Sequence, residues 1–163
     1  MVAWKSFVVT AALGIALAGC KQQSREAAAP EPAATIKAIP IKEFMGHVME
    51  FSAESAWKWQ GWTNDESGEK SLFPKNEAEW EQAESASLTV AELTRLLLQP
   101  DLRMNGKDWD ARVLAAHAAA TEMAKAAEAH NEDALFKAGS RLDEACTACH
   151  HAYAPNLEGP ATS

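Results

Sequence analysis

An all-α fold, a single antiparallel four-helix bundle, is predicted by three observations. Apolar residues recur at steps of three and four along four long stretches, and the breakers Gly61, Gly68, Pro74 and Pro100 fall between them. No alternating apolar run bounded by turn residues is present, so strands are not expected. The hydrophobic content of 47% is ordinary for a globular chain. The roughly 120 residues that follow the N-terminal region suffice for one domain with one core.

The first helix is predicted from Ile41 to about Trp59, with Ile41, Phe44, Met45, Val48, Met49, Ala56 and Trp59 as its apolar positions. A long polar loop follows, marked by Gly61, Asn64, Gly68 and Pro74. The second helix opens near Asn76 and runs to Leu98, carrying Trp80, Ala83, Val90, Leu93 and Leu97 on one broad face before Pro100 stops it. The third begins at Asp108, where Trp109, Val113, Ala116, Ala120, Met123 and Ala127 alternate steps of four and three, the seam of a helix packed at a shallow angle. Asn131 is placed to cap the fourth, with Glu132 and Asp133 in its first turn, and Pro155 to end it. Short second and third connections make neighbouring helices antiparallel.

Residues 1–19 read as a lipoprotein signal peptide. Lys5 forms a short basic region, Phe7 to Ala18 an apolar run too short to span a bilayer comfortably, and Leu17-Ala18-Gly19-Cys20 resembles a lipobox. Cleavage leaves Cys20 as the N-terminal residue, and the resemblance implies its lipidation with the two or more chains that stable anchoring needs. Residues 20–39 are rich in Ala, Gln, Glu and Pro and form a flexible tether that reaches up to ~3.3 Å per residue. The bundle occupies residues 40–155, and 156–163 are a C-terminal tail. Lys21, rather than an acidic residue, follows Cys20, which by resemblance to enterobacterial lipoproteins slightly favours the outer over the inner membrane as the anchor, facing the periplasm.

The remaining cysteines lie in Cys146-Thr147-Ala148-Cys149-His150, a Cys-x-x-Cys-His run that reads as a covalent haem attachment site. On a helix, residues three and four apart share a face, so the thiols of Cys146 and Cys149 and the imidazole of His150 converge. Two thioethers would hold the porphyrin edge while His150 ligates iron from the proximal side. Two other chemistries use such a pair. A thioredoxin-like dithiol belongs at a helix N-terminus in a βαβ setting, whereas this motif falls late in a helix. Zinc needs about four ligands, which would have to include a distant His47, His117 or His130. Leu135, Leu142, Cys146, Cys149 and Tyr153 share one side of the fourth helix, so the attachment atoms continue the apolar stripe.

A four-helix domain with Cys-x-x-Cys-His at the end of its last helix resembles the class II c-type cytochromes, the cytochrome c′ and cytochrome c556 group. The resemblance spans roughly Ile39 to Pro155. It implies one haem c, with thioethers from Cys146 and Cys149, the proximal bond from His150, and a distal face from the first helix. In relatives, a methionine on that helix gives six-coordinate iron that carries electrons. An apolar side chain there leaves iron five-coordinate and open to small gases. Met45 and Met49 are four apart and share a face, so spacing alone does not choose between them. Met45 is the first choice as distal ligand and Met49 the second, with iron lacking a distal protein ligand as the remaining alternative. Both methionines also suit plain core packing.

Of the other histidines, His47 lies roughly 200° around the helix from Met45 and is expected in solvent, while His117 reads as a satisfied boundary residue and His151 points about 100° from His150. Two features depart from the family pattern. Lys42 is the nearest first-helix cation, and Tyr153 is followed by Ala154 rather than a basic residue, which leaves the propionate contacts open. Core and loop packing is the default reading of the tryptophans; Trp57, Trp59 and Trp62 cannot all face one core from a single helix, so the alternative is that one of them shields the haem edge or marks a docking patch.

The formal net charge is −8, which makes nucleic acid an improbable partner and a basic docking surface on a redox protein a suitable one. The expected function is single-electron transfer by a lipid-anchored monohaem cytochrome facing the periplasm, without enzymatic turnover. The alternative is a five-coordinate protein that binds nitric oxide or carbon monoxide as scavenger or sensor. Peroxidase chemistry would need a distal acid–base group, which Phe44, Met45, Val48 and Met49 do not supply. Homodimers formed through the first two helices occur among relatives.

Overall fold

The computed structural model describes residues 37–154. The signal peptide, Cys20, most of the tether, Pro155 and the tail lie outside the described residues. Within them the chain is mostly helical, compatible with an all-α bundle.

The first helix covers residues 41–57 in three joined pieces: Ile41–Glu43, a π-helical stretch Phe44–Met49, and Glu50–Trp57. Pro40 stands at its N-cap position with an extended backbone, and its carbonyl accepts the Phe44 N–H at 2.9 Å. The π stretch holds one more residue than an α turn. Phe44 and Met49, five apart, are thereby both buried, with 4% and 6% of their surface exposed.

The second helix is Glu77–Leu96, the third Trp109–Glu128 and the fourth Glu132–Tyr153. Asn76 caps the second by accepting from the Glu79 N–H, and Asn131 caps the fourth by accepting from the Ala134 N–H. Trp80, Ala83, Val90 and Leu97 are buried as the second-helix pattern anticipates, with Leu93 half-buried beside them. All six residues of the third-helix seam are buried. Asp108 stands at the N-cap of the third helix: its carbonyl accepts the Arg112 N–H at 3.0 Å, while its carboxylate is held by Arg112 and Tyr153 rather than by a backbone N–H of its own helix.

Contacts at the two ends define an up-down-up-down bundle. At one end, the indole of Trp57 donates to the Gly139 carbonyl at 3.3 Å, and Trp80 of the second helix stacks on His130 in the turn between the third and fourth. At the other end, the Tyr153 hydroxyl donates to Asp108 at 2.7 Å, and the Ala38 N–H, just before the first helix, donates to Asp101 at 3.4 Å. The third helix packs extensively along both the second and the fourth, whereas the first and fourth share no extensive close approach of their backbones.

The expectation of no strands is corrected. The loop after the first helix contains an antiparallel hairpin, β1 (Trp62–Asp65) and β2 (Gly68–Ser71), with Trp62 opposite Ser71 and Asp65 opposite Gly68. Turn chemistry makes it: Asp65 Oδ1 accepts the Ser67 N–H at 2.8 Å, and Gly68 takes a φ of 106°, where a Cβ would be strained. Both strands are exposed throughout, so there is no buried face to write an alternating apolar pattern into the sequence. No described helix is long and apolar enough to cross a membrane.

Candidate functional site

Cys146 and Cys149 lie in the penultimate turns of the fourth helix. Leu135 and Leu142 on the same stripe are buried, and Cys146, Cys149 and Tyr153 extend it as half-buried side chains packed on the core. His150, one position past Cys149, is exposed. The three groups therefore present two apolar-facing thiols and one accessible imidazole at the rim of the core.

The thiols are not activated. Burial, reinforced by neighbouring Cys149 and Asp143, pushes the Cys146 thiol up to about 11. Burial also raises Cys149, with Arg112 pulling in the opposite direction. A dithiol built for disulfide exchange needs a depressed thiol pKa, so the electrostatics here run against that use. Among the described residues no three His, Cys, Asp or Glu side chains are grouped to hold a metal ion.

The first helix passes this level of the bundle. With about 1.5 Å of rise per residue in each helix, the antiparallel register set by Trp57 and Gly139 brings residues 45–50 about level with 146–151. The π stretch thus lies about level with the Cys-x-x-Cys-His motif. Met49 is buried in the core cluster, while Met45 is half-buried at its edge. The two share the helix but not the environment.

His47 is exposed and 3.3 Å from Glu43. His117 is partly buried and its Nδ1 donates to the Ala91 carbonyl at 2.9 Å, the satisfied boundary role expected of it. The three tryptophans separate. Trp57 packs on the fourth helix about two turns before Cys146, Trp59 is half-buried on the core under the Lys58 ammonium, and Trp62 is 53% exposed. Trp62 meets Phe73 and Phe136 edge-on at the end of the bundle away from the motif, so it does not shield that turn.

Sequence reasoning missed Arg112. This third-helix side chain donates from Nη1 to the Ala148 carbonyl, inside the motif, at 2.7 Å, and from Nε to Asp108 at 2.7 Å. Asp108 also accepts the Tyr153 hydroxyl, and these two hydrogen bonds, Tyr153's first, hold its carboxyl below the usual range. Tyr153 in turn is raised, chiefly by its bond to Asp108. The available signal was spacing: Asp108 and Arg112 are four apart and share a helix face.

The donor set fits a covalently held haem on its chemistry. Two cysteines lie on one apolar face, an exposed histidine follows them, a thioether-bearing helix passes at the same level, and the two flanking helices are not closely packed against one another. Comparisons of the chain with protein-family models, with curated proteins and with solved structures return no match.

Proposed function

We propose that this protein is a monohaem c-type cytochrome of the class II kind, a carrier of single electrons rather than an enzyme, held at the periplasmic face of a membrane by lipid on Cys20. The observation that carries this reading is the placement of Cys146 and Cys149, half-buried on the core side of the last helix, about level with a first-helix turn that holds Met45 and Met49. Haem c bound there supplies iron that cycles between its ferric and ferrous states.

The residues of the chain do the rest. Cys146 and Cys149 anchor the porphyrin edge and His150 provides the proximal imidazole. Met45 is the distal ligand of choice, because Met49 is already committed to packing within the core. Phe44 and Val48 keep that face apolar, which excludes water and disfavours the charged ferric state. The excess of negative charge, −8 over the whole chain, suits docking to a basic redox partner, an attraction that weakens as salt rises.

A second reading has its own support. If Met45 serves only as packing at the core edge, the distal face is wholly apolar and the protein binds nitric oxide or carbon monoxide. Absorption spectra of the reduced, haem-loaded protein decide between them. A low-spin spectrum unchanged by carbon monoxide supports the carrier, and a high-spin spectrum that carbon monoxide shifts supports the gas binder. For the anchor, Cys20→Ser should release the protein from membranes, and soluble wild-type protein would refute lipidation.

A further inference from the structure

We propose that Arg112 is the positioning residue of the Cys-x-x-Cys-His turn, clamping the end of the fourth helix and placing beside it the positive charge that tunes the reduction potential. The second half of this inference rests on the haem reading above; the first half does not.

Three observations lead to it. Arg112 reaches across from the third helix and donates from Nη1 to the Ala148 carbonyl, the residue between the two cysteines and two before His150. Its Nε is held by Asp108 Oδ2, and Asp108 Oδ1 holds the Tyr153 hydroxyl at 2.7 Å, so one chain of hydrogen bonds grips the last helix on both sides of His150. The Arg112 side chain is also only 30% exposed, which fixes its reach and limits screening of its charge. A guanidinium at this place is favoured by the negative end of the helix dipole, and its fork geometry serves two acceptors at once, which a lysine cannot reproduce.

The chemistry toward a bound haem follows from sign. The charges of Arg112 and Asp108 act on Cys149 with opposite signs, so toward a haem held there the Arg112 cation would favour the less positive, ferrous iron and raise the potential, and the Asp108 carboxylate would work against it. Loss of Arg112 and loss of the Asp108 charge therefore shift the potential in opposite directions, whereas a merely structural disturbance shifts both the same way.

The test has two arms on the full chain. In the first, hydrogen–deuterium exchange is measured on protein made without haem attachment. Arg112→Gln should speed exchange across residues 149–154 several-fold, with Arg112→Lys intermediate; exchange unchanged in Arg112→Gln overturns the clamp. In the second, the haem-loaded protein is titrated by spectroelectrochemistry. Arg112→Gln should lower the midpoint, Asp108→Asn should raise it, and Arg112→Lys should stay close to wild type. Shifts of the same sign in Arg112→Gln and Asp108→Asn, or no shift in either, overturn the electrostatic role. A wild-type chain that takes up no haem overturns the haem reading together with that role, while the exchange arm still decides the clamp.

Discussion

Trp57 and Gly139 tie the first helix to the last: the indole N–H donates to the glycine carbonyl at 3.3 Å, and the register of the two antiparallel helices follows from that contact. Gly139 is itself closely approached, since a Cβ there would run into the Gln60 side-chain amide. The consequence is functional, because this register sets the π stretch level with the cysteines two turns further along. Replacing Trp57 by Phe removes the donor and keeps most of the ring. It should lower stability by about 0.5–1.5 kcal/mol, read as a smaller urea midpoint with an unchanged slope.

The two methionines should separate by variant. Met49→Ala empties a buried core position and should cost about 2–5 kcal/mol in the urea transition while leaving the spectrum of the loaded protein native-like. Met45→Ala, at the core edge, should cost less stability but change the spin state and lower the potential. A native-like spectrum in both variants would rule out methionine ligation.

Gly106 leaves no room for a side chain while Tyr153 keeps its place. A Cβ there would run into the Tyr153 hydroxyl and lie 2.7 Å from its ring carbons, so the ring would have to swing away as a unit. Gly106→Ala should push Tyr153 off Asp108 and cost about 1–3 kcal/mol. Its thermal midpoint and its Tyr153 titration report both effects; a titration restored toward the ordinary tyrosine value is the expected sign.

Acid should weaken the fold through a small set of aspartates. Asp65, held down first by Lys70, Asp108, first by Tyr153, and Asp110, first by Arg103, all lie below the ordinary value of 3.8. Their folded forms release protons that the unfolded chain would keep, so their contribution is present above 3.8 and is lost as pH falls through the depressed values. The thermal midpoint should hold between pH 7 and about pH 5 and fall below about pH 4. Asp110→Asn should make that fall shallower, by a small amount because the Arg103 pair is exposed.

The helices were legible because each carries its own periodic stripe and its own stops. Asn76 and Asn131 cap where capping residues should, and the third-helix seam from Trp109 to Ala127 is buried throughout. The hairpin was not legible, since its order comes from the Asp65–Ser67 turn and the left-handed Gly68 rather than from burial. The π stretch was hidden for a related reason: Phe44 and Met49 are five apart, a spacing that an α-helical reading assigns to different faces. At the site, the cysteines and histidine announce themselves as a motif, but Arg112 acts on Ala148 from 36 residues away in sequence, a distance that local pattern does not bridge.

Covalent haem on Cys146 and Cys149 is read outright by intact-mass measurement of protein matured in the periplasm of a cytochrome-c-producing host. The mass should be increased by one haem that survives acid extraction, Cys146 and Cys149 should resist alkylation, and the increment should be lost in a Cys146→Ser, Cys149→Ser double variant. Two freely alkylated cysteines and no added mass would contradict covalent attachment.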